Sequence, residues 1–262
     1  DAANALAARV ALFQNKMTDA ANYAEAVLAN SSFSLASTAM DFSKNWVAGS
    51  SSPEIIFAYV NNSRASSPLN FTLYVNDTDG SWNYAPSDWC YNSLFADDNT
   101  LSRKGDVRLK ATFTSQDANR VIKYPNGTYQ LAETSDYTCT PVVISRISEM
   151  YLIKAEALGK TNGAAALVEY MKKRYTTAPS EAAIKALSDK EYQTLILDER
   201  RREFYAEGMR WQDIKRTNRL ELLETLDGRT YLMYYPIPQD EIDMAGTVAY
   251  PQNPGYAGYT GN

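Results

Sequence analysis

Apolar residues recur at helical spacing in two stretches of the chain, one at its start and one just past its middle. Residues 2 to 14, "AANALAARVALFQ", put Leu6, Val10 and Phe13 on one face. Residues 18 to 29, "TDAANYAEAVLA", do the same with Ala20, Tyr23, Ala24 and Val27. The pattern predicts a helical hairpin, residues 1–30, with Thr18 as the N-cap of its second helix. The scheme returns in "RISEMYLIKAEALG" (146 to 159) and "NGAAALVEYMKKRY" (162 to 175), broken at Gly159 and Gly163, so a second hairpin is predicted over 146–176.

Between them, residues 31–140 change character. Ser, Asn, Asp, Pro and aromatics dominate and the helical period fades, which predicts a long, loop-rich insertion. Short strand-like runs stand at "EIIFAYV" (54 to 60) and "NFTLYV" (70 to 75), and Asn126-Gly127 between alternating residues predicts a β-hairpin turn. From Ser188 the helical signal resumes with an S-x-x-E capping box, Ser188 and Glu191, and a helix of about five turns is expected to end at Gly208 in the C′ position. A shorter helix, "MRWQDIKRT", should follow. The tail, "YYPIPQDEI" and "YPQNPGYAGYTGN", reads as extended. Both hairpins are similar to tetratricopeptide units, in which small residues let paired helices approach closely.

Composition narrows the chemistry more than it suggests one. With 26 basic and 31 acidic residues among 262, and a pI near 5.0, nothing favours binding to nucleic acid. The chain has no histidine, which removes Ser/His/Asp and Cys/His nucleophilic systems and histidine-bound zinc. Cys90 and Cys139 are too far apart for a CxxC motif; whether they pair in a disulfide is left open by sequence. No run of residues approaches the length of a membrane span, and no cofactor motif stands out.

The segment from Leu195 to Arg216, "LILDERRREFYAEGMRWQDIKR", packs five arginines among five acids. Glu199, Glu203 and Glu207 form one acidic stripe beside Tyr192, Leu195 and Ile196. A glycosidase needs two carboxyls across a cleft, whereas these point the same way along one helix. Arginine forks answering each acid, as structural ion pairs, fit the spacing better.

A different chemistry is suggested by residues 70 to 92, "NFTLYVNDTDGSWNYAPSDWCYN". A sugar ring has an apolar C–H face and a fringe of hydroxyls, and here Trp82, Tyr74 and Tyr84 stand among Asn76, Asp79 and Asn83, which suit both. Trp82 is the first choice for stacking, and Trp46, in "DFSKNWVAGSS", is a second exposed candidate. Trp89 and Tyr91, beside Cys90, read instead as rings that pin the loop to the body. Asp77, Asp79 and Asp88 sit at calcium-loop spacing, but Trp82 occupies the place of the required glycine and position twelve lacks Glu, so no metal is expected.

The motifs "ISEMYLIKAEAL", "LVEYMKKRY", "LDERRREFYAEGMRWQDIKRT", "YYPIPQDEI" and "QNPGY", in this order, resemble the C-terminal half of the SusD/RagB family. "APSDWCYNSLFADD" followed by Asp106-Val107-Arg108 resembles that family's loop before its D-x-R element. The resemblance implies an all-α, SusD-like fold of tetratricopeptide-like hairpins in an α-superhelix, with long loops and minor β-hairpins. Residues 1–262 would form a single SusD-like region, its C-terminal helices and tail spanning 188–262. It implies scaffold roles for Glu199, Arg200, Glu203, Glu207, Arg210, Trp211 and Asp213. By the same resemblance the protein is expected to be a non-enzymatic binder of an oligosaccharide on the extracellular face of the outer membrane. Its partner would be a SusC-like, TonB-dependent transporter. Nothing in the sequence matches the family's front region, so that part of the fold is expected to be absent, and any lipid anchor to lie outside this chain. A peptide- or protein-binding module and a glycoside hydrolase using Glu199 or Glu203 with Asp213 are the alternatives.

Overall fold

The computed structural model describes residues 1–47, 52–60, 86–113, 121–123, 141–223, 226–245 and 251–257. The chain forms two compact units, Asp1–Tyr205 and Ala206–Asn262.

In the first unit, helices α1 (Ala2–Phe13) and α2 (Met17–Leu28) form the first hairpin. The N-cap of helix α2 is Lys16, two residues before the predicted Thr18, and no side chain caps it. The faces also differ from expectation. Ala5, Ala8, Ala11 and Leu12 are buried in α1, whereas Leu6 is 54% exposed and Val10 45%. Tyr23 likewise faces outward, while Ala20, Ala24 and Val27 are buried. Alanine faces bring the helix axes closer than leucine faces allow, and close packing of backbone replaces burial of large side chains. This small-residue seam meets Ile147, Met150 and Ile153 in one core.

Those three residues open α5 (Ile147–Arg174), which is two helical segments joined at Gly159, whose φ of 66° and ψ of 175° are not helical. Gly163, just beyond the bend, has no room for a side chain: a Cβ there would run into the carbonyl of Ala155. The second predicted hairpin is therefore present, folded tightly on itself. Arg9 fixes the first hairpin to it, donating to both carboxylate oxygens of the buried Glu149 and to the Ile144 carbonyl.

Helices α6 (Glu181–Ala186) and α7 (Asp189–Glu203) follow, and α7 packs along α5. The Ser188–Glu191 capping box forms as expected, with both reciprocal hydrogen bonds. Helix α7 ends at Glu203, short of the predicted Gly208, which instead sits in the left-handed conformation at the N-cap of α8 (Met209–Thr217) in the second unit.

Two small antiparallel sheets tie the insertion to the helices. Strand β1 (Ile55–Tyr59) pairs with β3 (Val142–Arg146), and β2 (Lys104–Asp106) with β4 (Tyr175–Thr177). The first pairing, from Ile55 opposite Arg146 to Tyr59 opposite Val142, joins the segment that leads into residues 61–85 to the one that leads into α5. Short helices α3 (Ala39–Ser43) and α4 (Val107–Thr112) pack on each other beside them. The "NFTLYV" strand and the Asn126-Gly127 turn lie outside the described residues.

Candidate functional site

Glu203 ends α7 with no solvent contact, and its two oxygens accept from several elements at once. Oε1 takes Arg146 at 2.5 Å and Arg174 at 2.9 Å; Oε2 takes Arg174 Nε at 2.9 Å, the Tyr170 hydroxyl at 2.8 Å and Arg108 at 3.3 Å. One turn earlier, Glu199 accepts from Arg202 at 2.8 Å, the Tyr175 hydroxyl at 2.6 Å and Arg108 at 2.9 Å. Glu54, at the start of β1, closes the cluster from the other side, accepting from Arg174 at 2.7 Å, Arg146 at 3.2 Å, Asn45 at 3.0 Å and the Ala36 amide at 2.6 Å.

The D-x-R element has its place in this cluster. Asp106 caps α4 by accepting from the Arg108 amide, and its carboxylate clasps the Arg108 guanidinium through Nε at 2.8 Å and NH2 at 2.7 Å. That clasp aims Arg108 between Glu199 and Glu203. Apart from Arg202, three residues from Glu199, the acids of α7 are thus answered by arginines far away in sequence.

Electrostatics fix the protonation states. Burial opposes ionisation of Glu199, but Arg202 and Arg108 outweigh it and hold the carboxyl at about 2. Burial opposes ionisation of Glu203 likewise, and Arg174 and Arg146 drive its pKa well below the ordinary range. Burial pushes the Tyr170 hydroxyl well up, so it stays a donor. Two buried carboxylates on one helix face, both with lowered pKa, present neither a protonated acid at neutral pH nor an open cleft, and the Glu199/Glu203 pair lacks the geometry of a glycosidase site.

Of the other residues assigned to the scaffold, Arg200 is buried with its guanidinium 5.2 Å above the Phe204 ring. The rest belong to the second unit. Asp213 is buried and accepts from Arg216 at 2.9 Å; Arg210 donates to the Leu222 carbonyl at 3.1 Å; Trp211 packs on the small core of Ile214, Leu226 and Met233; Glu207 is half-buried.

Trp46 is a correction. It is 1% exposed, edge-on to Phe42 at 5.1 Å, with Lys123 4.2 Å and Arg146 5.2 Å from its ring. A ring with cations over its face roofs the ion cluster and is closed to a ligand.

Trp82, Tyr74, Tyr84, Asn76, Asp79 and Asn83 lie outside the described residues, as do Asp77 and Cys139. The ends of their segment are described, and both present aromatic rings. On β1, Phe57 and Tyr59 are 40% and 61% exposed and meet edge-on at 5.2 Å. On the exit side, residues 90–94 form a π-helical turn with Cys90 and Leu94 buried. Tyr91 pins this turn as predicted, edge-on to Phe113 at 5.8 Å, and Arg202 donates to the Leu94 carbonyl at 2.6 Å. Trp89 does not: it is 43% exposed, with the Arg201 guanidinium 4.6 Å from its ring centre. An exposed indole steadied by a cation is a ready stacking surface for an apolar ring face.

Sequence reasoning missed Glu54, Arg108, Arg146, Arg174, Tyr170 and Tyr175 as members of the cluster. Each stood in a quoted motif, but which arginine meets which acid depends on the strand pairing and the bend at Gly159, neither of which is local.

Residues 95–230, just over half of the chain, match the SusD family model. A SusD-like protein of Formosa agariphila is 30% identical over 142 residues, covering 49% of this chain and 27% of that protein. Among solved structures, a SusD-like protein from Bacteroides fragilis superposes with a TM-score of 0.65 at 19% identity, over 97% of this chain and 65% of that one. Surface glycan-binding protein A from Bacteroides thetaiotaomicron, in complex with laminarihexaose, gives 0.59 at 21% identity over 94% and 62%. The chain spans about a quarter of the curated relative and just under two thirds of these solved chains.

Proposed function

Because the chain belongs to the SusD family, we propose that it is a non-enzymatic binding protein that captures an oligosaccharide at the extracellular face of the outer membrane. The cargo then passes to a SusC-like, TonB-dependent transporter. The observation that carries the reading is Trp89: an indole left open to solvent and backed by Arg201, at the foot of the segment that carries Trp82, Tyr74 and Tyr84. Stacking supplies affinity for the C–H face of a pyranose, and Asn76, Asp79 and Asn83 supply partners for its hydroxyls. A relative of the same fold, solved with laminarihexaose, lends support to a glycan cargo. The acid-rich helix supports a binder over a hydrolase, since Glu199 and Glu203 are consumed in structural bonds.

A glycan array with the wild-type chain and Trp82→Ala, both checked by circular dichroism, tests the reading. Binding of one glycan class, lost in Trp82→Ala, is the expected result. Turnover of the bound glycan, or binding of peptides in place of glycans, would overturn it.

A further inference from the structure

The "YYPIPQDEI" and "QNPGY" motifs, which the ion cluster leaves unexplained, contribute Tyr234 and Pro254 to a cavity of about 360 Å³ in the second unit, whose other lining residues come from 215–233. Gln252 bridges the two segments as a strand partner would: its side-chain oxygen accepts from the Ile237 amide at 2.7 Å and its side-chain nitrogen donates to the Ile237 carbonyl at 2.8 Å. Asn253 donates to the Tyr235 carbonyl at 2.7 Å. The Tyr256 hydroxyl donates to the Tyr234 carbonyl at 2.6 Å while its ring meets Tyr231 edge-on at 5.1 Å. Gly255, at φ 89°, lies flat against Tyr231, where a Cβ would collide with the ring. These contacts fix Tyr231 in place before anything binds, which removes an ordering cost from association.

Tyr231, Tyr234 and Pro254 wall the cavity, with Asn218 and Thr230 as its uncharged polar groups. Leu220 and Met233 are its apolar aliphatic lining, Met233 belonging to the unit's small core. Lys215 is its charged lining residue, exposed on the last turn of α8, and it forms no ion pair among the described residues. Its neighbours in sequence are engaged: Arg216 holds Asp213, and Arg219 holds Glu221.

We propose that this cavity is a second saccharide site, separate from the Trp89 platform, which takes an acidic pyranose. The sugar ring stacks against the tyrosine wall, its hydroxyls meet Asn218 and Thr230, and its carboxylate pairs with Lys215. The volume lies at the small end of the range for ligand pockets and suits one or two sugar units. A tyrosine wall beside amide and hydroxyl groups matches the two-faced chemistry of a pyranose better than it matches an apolar peptide side chain, which would call for a closed apolar hole.

The test is a titration of the intact, isotope-labelled chain with sodium glucuronate, followed by amide chemical shifts, with glucose and N-acetylphenylalanine carboxylate as comparison probes. The expected result is saturable shifts at Lys215, Asn218, Thr230 and Tyr231 in the millimolar range, weaker with glucose. They should persist in Trp89→Ala, so that failure of the first site does not touch the second. Lys215→Gln, an exposed substitution that leaves the fold intact, should weaken glucuronate about tenfold, the loss of one charge-assisted contact, and abolish its advantage over glucose. Absence of saturable shifts at these residues up to about 50 mM would overturn the proposal. So would an affinity indifferent to Lys215→Gln, or tighter binding of N-acetylphenylalanine than of glucuronate.

Discussion

Arg174 and Glu203 meet through two parallel hydrogen bonds, Nε to Oε2 and NH2 to Oε1, each 2.9 Å long and wholly removed from water. The same guanidinium reaches on to Glu54 and to the Ala36 carbonyl, so a single side chain joins the second helical hairpin, the charged helix α7 and the strand that opens the insertion. Buried ions of this kind add little net stability when intact, but they make the arrangement intolerant of a missing partner.

Glu203→Gln leaves Arg108, Arg146 and Arg174 facing a neutral amide that cannot accept at both ends. Urea denaturation should show a loss of about 3–5 kcal/mol, the cost of uncompensated buried charge. A loss below about 1 kcal/mol would mean that the cluster is solvated in a way its burial denies.

The cluster also sets the response to acid. Glu199 titrates at about 2 in the folded chain against an ordinary 4.5, so the folded state binds its proton later than the unfolded state does. Its stabilisation is complete above pH 4.5 and drains away as the pH falls towards 2; Glu203 acts in the same direction. Thermal melts should therefore give a nearly flat Tm from pH 7 to about 5 and a steep fall below about 4.5, and Glu199→Gln should be less stable at neutral pH with a shallower fall.

The first hairpin offers a test of packing. Ala8 is wholly buried in the alanine seam, and Ala8→Leu should cost about 1–3 kcal/mol by forcing the helices apart. Leu6→Gln, on the outer face, should change stability by less than about 0.5 kcal/mol. The reverse order would restore the face that hydrophobic periodicity favours.

Gly163→Ala sets propensity against packing. Alanine is the better helix former by about 1 kcal/mol, but its Cβ has no space beside the Ala155 carbonyl. The substitution should lower the Tm despite the propensity gain, and a raised Tm would show that the helices have room to part.

The sequence is most informative where structure is local. The Ser188–Glu191 box, the helices of both hairpins and the break at Gly159 were legible, because capping and small-residue spacing act within a few residues; Gly163, also read as a break, is helical, and its small size serves the close approach to Ala155 instead. The inward face of α1 was not. Hydrophobic periodicity points to Leu6, Val10 and Phe13, and only the close approach of a partner makes alanine the buried residue. Trp46 misled for a related reason: its burial comes from Phe42 and from the distant cations Arg146 and Lys123, which the local sequence does not show. Trp89 misled the other way, since burial of adjacent Cys90 did not carry the indole inward. The aromatic stretch was legible as chemistry, because ring and amide content needs no fold to be read.

The most direct test of the account is affinity electrophoresis of Trp89→Ala and Trp46→Ala beside the wild type, in a gel containing the polysaccharide found by the array, with a thermal melt of each. Trp89→Ala should migrate unretarded with an unchanged Tm, whereas Trp46→Ala should lose about 3–5 kcal/mol of stability yet, at temperatures where it stays folded, keep its retardation. Undiminished retardation of Trp89→Ala, or loss of binding in folded Trp46→Ala, would contradict the assignment of one tryptophan to the ligand and the other to the scaffold.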